Sequence, residues 1–502
     1  MNKQIIRNVF FNGLSFICNF LVTLLLVPYL VDSLGIVAYG FIPLSMIFTA
    51  YIGVITETLT TSITRQITTA LHNNDIDKVI RVFNTSLTLM IMIIIFLFII
   101  LNFSIGSIDG LIDIPIGFEG NVEFLFYIII VNFLLSLITA NFSVSMYACN
   151  RMDYMQINTA FRVVIRCLLI YLLFNYDQAS LPNVAIATLG SGILSLLYAL
   201  YFFRKLTPEI KINLLAFDKN EVKGICVIGG WLLINQLGFI LFSKVDLLIV
   251  NKMLGIESSS LYSLAIQFSD LLKIFAGVIG GVLGPVTMIL YSTGKTKEMR
   301  DITFVFSKLM SLTCSILIIL ICFYSDSIIR LWIGDEYINI NGLVWAVTIP
   351  LIISVGVYPL FSVNVAMNKV NIPALLNLIL GAIGILVAIV LIENTELGYY
   401  AVAISTGSML VIKNLIFIPI YTANIMKIRV ITFINIHLVT IVFSILSFAF
   451  LFLIKEFFSY HINGYVSLFC VLISSGLLLL LLSLFFYTKS EIKSILDFFK
   501  NK

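Results

Sequence analysis

Arg162 and Arg166 are the residues whose type and spacing point most directly to chemistry. They stand four apart, which puts both on one helical face, inside an apolar stretch over 154–174. At about 1.5 Å per residue they lie roughly 12 and 18 Å along that stretch, too deep for easy contact with bulk water. A planar guanidinium fork matches phosphate oxygens, so the pair, with Arg151 at the mouth of the same helix, reads as a basic track for a pyrophosphate. The alternative is a salt bridge to an acid on another helix.

The other charges in apolar stretches are each functional candidates, because an ionisable group at the centre of a bilayer costs about 2.5–3.5 kcal/mol. Asp270 and Lys273, three apart, either neutralise each other or present one member as a gate or substrate contact. Lys244 and Asp246 are two apart and point to nearly opposite sides, so at most one faces a lumen squarely. Glu57 is a candidate for answering a basic residue or binding a coupling cation. Lys308 and Lys413 stand nearer helix ends, where an ammonium snorkelling along its own stem accounts for them; Lys308 is also a gating candidate. The basic members outnumber Glu57, Asp246 and Asp270, which suits an anionic substrate better than a cationic drug. Nothing resembles a catalytic centre: His72, His437 and His461 fall near loops, and no HExxH, GxSxG or P-loop pattern occurs. The chain therefore reads as no enzyme, with no metal or cofactor.

The elements that position these residues are set by composition. Of 502 residues, 60% are hydrophobic and 11% charged, with a mean hydropathy of +1.09. Lipid cannot satisfy backbone polar groups, so a spanning chain is helical or a closed barrel. Barrel strands alternate over about ten residues, whereas the apolar runs here approach the roughly 20 residues a spanning helix needs. Cutting at polar clusters predicts an all-α integral membrane protein with fourteen spans: 8–31, 38–65, 81–104, 122–148, 154–174, 181–203, 224–251, 258–291, 302–324, 341–367, 372–392, 398–422, 431–454 and 464–487. The seven cysteines lie in or beside these spans without metal-ligand spacing and read as small core residues.

Most of the 30 lysines and arginines fall in alternate loops, leaving Lys252, Arg330 and Lys455 in the others. The positive-inside rule then puts both termini in the cytoplasm, and Asp113 and Glu393 outside. This scatter of basic residues through short loops argues against nucleic acid as a partner. Beyond the last span, Ile492, Ile495, Leu496 and Phe499 recur at helical spacing among lysines, predicting an amphipathic helix on the inner leaflet.

Two halves overlie each other. Val31-Asp32-Ser33-Leu34-Gly35-Ile36, followed by Tyr39, matches Asn251-Lys252-Met253-Leu254-Gly255-Ile256, followed by Tyr262, 220 residues on. Ala148-Cys149-Asn150-Arg151-Met152-Asp153 matches Ala366-Met367-Asn368-Lys369-Val370-Asn371 at an offset of 218. Six spans separate the matched points, so the halves have parallel topology, related by an axis along the membrane normal.

With Arg7, Asn8 and Asn12 at the start, the Leu-Gly-Ile turns, Val245-Asp246-Leu247-Leu248-Ile249-Val250 and Leu261-Tyr262-Ser263, the whole chain resembles the Wzx-type polysaccharide-lipid flippases of the multidrug/oligosaccharidyl-lipid/polysaccharide (MOP) exporter superfamily. The resemblance implies two six-helix lobes, 1–204 and 224–422, around a central cavity. A cytoplasmic loop over 205–223 would join them, with extra spans in 423–487 and a tail over 488–502. It also implies a polyprenyl-pyrophosphate-linked oligosaccharide substrate in the bacterial cytoplasmic membrane, moved by alternating access, with membrane lipid, a polysaccharide polymerase and glycosyltransferases as partners. The rival readings are a drug/cation antiporter of the same superfamily, a lipid II flippase, and a membrane glycosyltransferase or polymerase.

Overall fold

The computed structural model describes residues 2–72, 75–105, 112–213, 217–219, 221–222, 245–281, 283–458 and 464–492. Among them the regular elements are helical and none is a strand. Eleven of these helices are long and apolar enough to cross a membrane, which makes the chain a multi-pass membrane protein. The expected span over 224–251 lies mostly outside the described residues, and Lys244 with it; so does most of the expected tail helix, of which only the first residues, through Ile492, are described.

Six helices lead the chain: α1 (Asn2–Leu34), α2 (Ile36–His72), α3 (Ile76–Ile105), α4 (Glu119–Ala148), α5 (Met152–Tyr176) and α6 (Leu181–Leu206). After the interval come α7 (Val245–Gly281), α8 (Leu283–Ser292) and α9 (Thr296–Phe323). Several run past the apolar stretches that signal them. Hydropathy marks only the lipid-immersed part, whereas a helix continues until its backbone hydrogen bonding is interrupted. The 37 residues of α2 amount to about 55 Å, well beyond the roughly 30 Å of a hydrocarbon core.

The interruptions fall at the residues that repeat in the sequence. Gly35 (φ 79°) separates α1 from α2, and Gly255 (φ 84°) breaks α7 at the matched position. Only glycine enters this region without steric cost. Asn150 (φ 55°) and Asn368 (φ 53°) end their helices in the left-handed conformation, which asparagine tolerates better than most residues. Each turn closes in the same way: the Arg151 N–H donates to the Met146 carbonyl (2.7 Å), and the Lys369 N–H to the Asn364 carbonyl (2.8 Å).

Two compact units divide the chain, Met1–Ser260 and Leu261–Lys502. In the first, α4 packs on α6 along a stripe of small residues, Thr188, Gly192, Ser195 and Ala199. Small side chains let helix backbones approach closely where lipid offers no hydrophobic drive. A methyl group on Gly192 would lie 2.0 Å from the Asn132 carboxamide. Phe83, Phe142 and Phe203, with centroid separations of 4.7 to 5.8 Å, join α3, α4 and α6 in the core.

In the second unit α9 is the most buried spanning helix and packs on the helix Ile431–Phe458 and on the segment after Pro350. Its buried Ser311 fits against Gly356, where a Cβ would lie 1.9 Å from the hydroxyl oxygen. The expected span 341–367 is not one helix. It is assembled from Asn341–Thr348, Leu351–Ser354, a 3₁₀ turn at Val355–Val357 and Tyr358–Ala366, with Pro350 and Pro359 at the joints, where a missing N–H and a bulky ring interrupt the ladder. The span 398–422 likewise contains a π-helical stretch, Ile412–Phe417, just before Pro419. Cys314 and Cys322 are buried as expected of small core residues, but Cys470 is exposed.

Candidate functional site

Within the first unit, α2, α4, α5 and α6 line an open cavity of about 790 Å³. From α2 come Thr60, Thr64 and Thr68, spaced four apart on one face; from α4 come Ser136, Thr139 and Ser143. The α5 wall carries Asn158, Thr159 and Arg162, and Ser195 closes it from α6. Among the described lining residues Arg162 is the charged one, and none of them is a carboxylate. Hydroxyls at i, i+3 or i, i+4 on spanning helices were readable from the sequence, but nothing local said that the two such faces of α2 and α4 converge with Asn158, Thr159 and Arg162 of α5.

With its amide oriented to suit both neighbours, Asn132 accepts from Arg162 Nη2 (3.0 Å) and donates to the Thr188 carbonyl (3.2 Å). This bridge uses one guanidinium donor and leaves the rest of the fork for another acceptor. Arg166, one turn along α5, has a buried Nε without a hydrogen-bond partner and is not among the lining residues. Neither arginine forms an ion pair among the described residues. Glu57 lies on α2, but its side chain is outside the described set.

Arg151 is engaged elsewhere. Its Nε and Nη2 donate to the two carboxylate oxygens of Asp153 (3.0 and 3.1 Å), and its guanidinium stacks 3.7 Å over the Tyr154 ring. The bond to Asp153 holds the Arg151 pKa above its ordinary value against the opposing effect of burial. Arg7 reaches the same carboxylate at 2.9 Å, while the Asp153 N–H donates to Asn8 Oδ1 (3.1 Å) and Asn8 Nδ2 donates to Asn150 Oδ1 (3.0 Å). Fully buried Asp153 thus ties the start of α1 to the α4–α5 turn. The sequence reading quoted Arg7, Asn8, Asn150 and Asp153 among its motif residues but did not say that the acid joins the others.

In the second unit Asp270 and Lys273 pair with each other at 3.3 Å, the self-neutralising geometry. Asp246 is buried in the first turn of α7. Lys308 does not snorkel: its ammonium is buried against Glu491, 3.0 and 2.9 Å from the two carboxylate oxygens. Lys413 sits half-buried in the π-helical stretch Ile412–Phe417.

Solved membrane transporters share the helical fold. A multidrug resistance MATE family transporter of the MOP superfamily, in an inward-facing conformation, superposes with a TM-score of 0.68 at 13% identity, covering 82% of this chain and 94% of that one. The lipid II flippase MurJ, inward closed, gives 0.68 at 15% identity over 97% and 99%. The chain belongs to the polysaccharide biosynthesis protein family, whose model matches residues 5–289. Among curated relatives it is 27% identical to the uncharacterized membrane protein EpsK of Bacillus subtilis (strain 168), over 82% of each chain. It is 22% identical to a putative O-antigen transporter of Shigella flexneri, over 74% of this chain and 88% of that one. The resemblance of the sequence to polysaccharide-lipid exporters of the MOP superfamily is borne out.

Proposed function

We propose that the chain is a flippase that moves a polyprenyl-pyrophosphate-linked oligosaccharide from the inner to the outer leaflet of the bacterial cytoplasmic membrane, by alternating access. The observation that carries this reading is the cavity in which Arg162 stands among hydroxyls, with no carboxylate among the described lining residues. Arg162 and Arg166 hold the pyrophosphate, and the polar walls accommodate the glycan. The proposed frame is fourteen spans in two six-helix lobes of parallel topology plus two C-terminal spans, with both termini cytoplasmic. Family membership and the O-antigen transporter relative support a saccharide cargo. The multidrug transporters share the fold, but a cationic drug in this cavity would meet Arg162 with no compensating acid among the described lining residues.

Reconstitution tests the activity. Vesicles carrying the protein should move a fluorescent polyprenyl-pyrophosphoryl disaccharide between leaflets faster than empty vesicles, read with a membrane-impermeant quencher. Transport of a quaternary ammonium dye with no effect on the saccharide lipid would establish the antiporter reading instead.

Orientation has its own measurement. In a background without native cysteines, an Asp113→Cys variant should react with an impermeant maleimide in intact cells. Labelling only after permeabilisation would invert the proposed topology.

A further inference from the structure

Asn132 stands in the middle of α4, inside the apolar run 124–138, where a carboxamide finds no water and must be satisfied by a neighbouring helix. It is only 5% exposed and is not among the described residues that line the cavity. Its side chain lies instead between α5 and α6, accepting from Arg162 Nη2 (3.0 Å) and donating to the Thr188 carbonyl (3.2 Å). The opposite orientation of the amide would set donor against donor at Arg162 and acceptor against acceptor at Thr188. The two neighbours together therefore fix which end meets the guanidinium. Gly192 on α6 makes the room: a Cβ there would lie 2.0 Å from the carboxamide and 3.3 Å from Asn132 Cγ.

We infer that Asn132 is the positioning residue for Arg162: it fixes the guanidinium at the cavity wall while leaving its charge uncompensated, and the neutrality of position 132 makes the site selective for an anion. This rests on the reading of Arg162 as a pyrophosphate contact and names what holds that contact in place. A guanidinium already held by one of its hydrogens gives up less rotamer freedom when the others meet phosphate oxygens. An aspartate in the same place would hold Arg162 equally firmly and neutralise it. The phosphate oxygens would then compete with a charge-assisted, poorly hydrated ion pair. Asn132 acts on the ligand only through Arg162, because it does not itself reach the described cavity wall.

The test measures the affinity of the purified full-length protein for polyprenyl pyrophosphate, with thermal unfolding to verify that each variant is folded. Asn132→Asp should weaken binding by about ten- to a hundredfold, the worth of a charge-assisted hydrogen bond to the phosphate. Asn132→Leu, which releases the guanidinium without adding a charge, should weaken it by about two- to tenfold. In an Arg162→Ala background Asn132→Leu should have no further effect, since nothing is left for it to position; a merely structural role would carry its cost into both backgrounds. Asn132→Asp, nearly isosteric, decides the matter should Asn132→Leu not fold. Affinity unchanged in folded Asn132→Asp, or an equal loss from Asn132→Leu with and without Arg162, would overturn the assignment and leave the flippase reading standing. Failure of the unaltered protein to bind the probe, or undiminished binding by Arg162→Ala, would remove the reading beneath it instead.

Discussion

Replacing Arg162 and Arg166 together by alanine should abolish polymer production in a complementation assay while leaving the protein abundant in the membrane. The two guanidiniums lie in a spanning helix without an ion pair among the described residues, and Arg166 carries a buried Nε with no partner. Charge-assisted hydrogen bonds contribute about 1.5–3 kcal/mol each, so losing both arginines corresponds to a fall on the order of 10² to 10⁴ in substrate affinity. Arg→Lys at either site should also impair transport, because the charge remains while the bidentate fork is lost. Bracing of α4 through Asn132 is the competing role of Arg162, and it makes a different prediction: Arg162→Ala would then lower the amount of folded protein in step with activity. Normal polymer from a well-expressed double variant would dismiss both arginines from substrate binding.

Truncating either member of the Lys308–Glu491 pair should produce the largest loss of stability in the second unit. Glu491 follows the last spanning helix and reaches back to α9, where both side chains are about nine-tenths buried. Removing one partner strands the other charge, at about 3–5 kcal/mol. Lys308→Ala and Glu491→Ala should therefore accumulate poorly or unfold at lower temperature after extraction, whereas the apolar double variant Lys308→Met, Glu491→Leu should recover most of the loss. A double variant no better than the singles would mean that the pair acts through something other than stranded charge.

The same pair has a defined pH signature. Burial opposes ionisation of Glu491, but hydrogen bonds from Lys308 and the Thr488 N–H, with the Lys308 charge, outweigh it and hold the carboxyl below its ordinary value. A depressed carboxyl stabilises the fold at pH above its unfolded-state pKa and loses that contribution as pH falls through the folded value. Thermal stability should thus be insensitive to this group from neutrality down to ordinary carboxyl pKa values, then decline under stronger acid; Glu491→Gln should remove that acid limb.

The sequence by itself determined that the chain lives in lipid, that its elements are helices, and where many of them end. Those properties follow from local causes: apolar run length fixes what can cross a bilayer, and residues such as Gly35, Gly255, Asn150 and Asn368 bear positive φ wherever the chain goes next. It also singled out Arg162 by depth and spacing alone. One local signal went unread, the Thr488-x-x-Glu491 capping box, in which Glu491 Oε2 accepts from the Thr488 N–H (2.7 Å) and Thr488 Oγ1 from the Glu491 N–H (3.3 Å). Which charges meet was decided only by tertiary structure. Lys308 finds Glu491 across 183 residues, and Asn8 meets Asn150 across 142. Hydropathy is a property of short windows, so it says that a buried lysine needs an anion but not which helix brings one. The polar faces of α2, α4 and α5 likewise became one cavity only when packing set those helices at their mutual rotations, so that hydroxyls scattered over a hundred residues line the space into which Arg162 points.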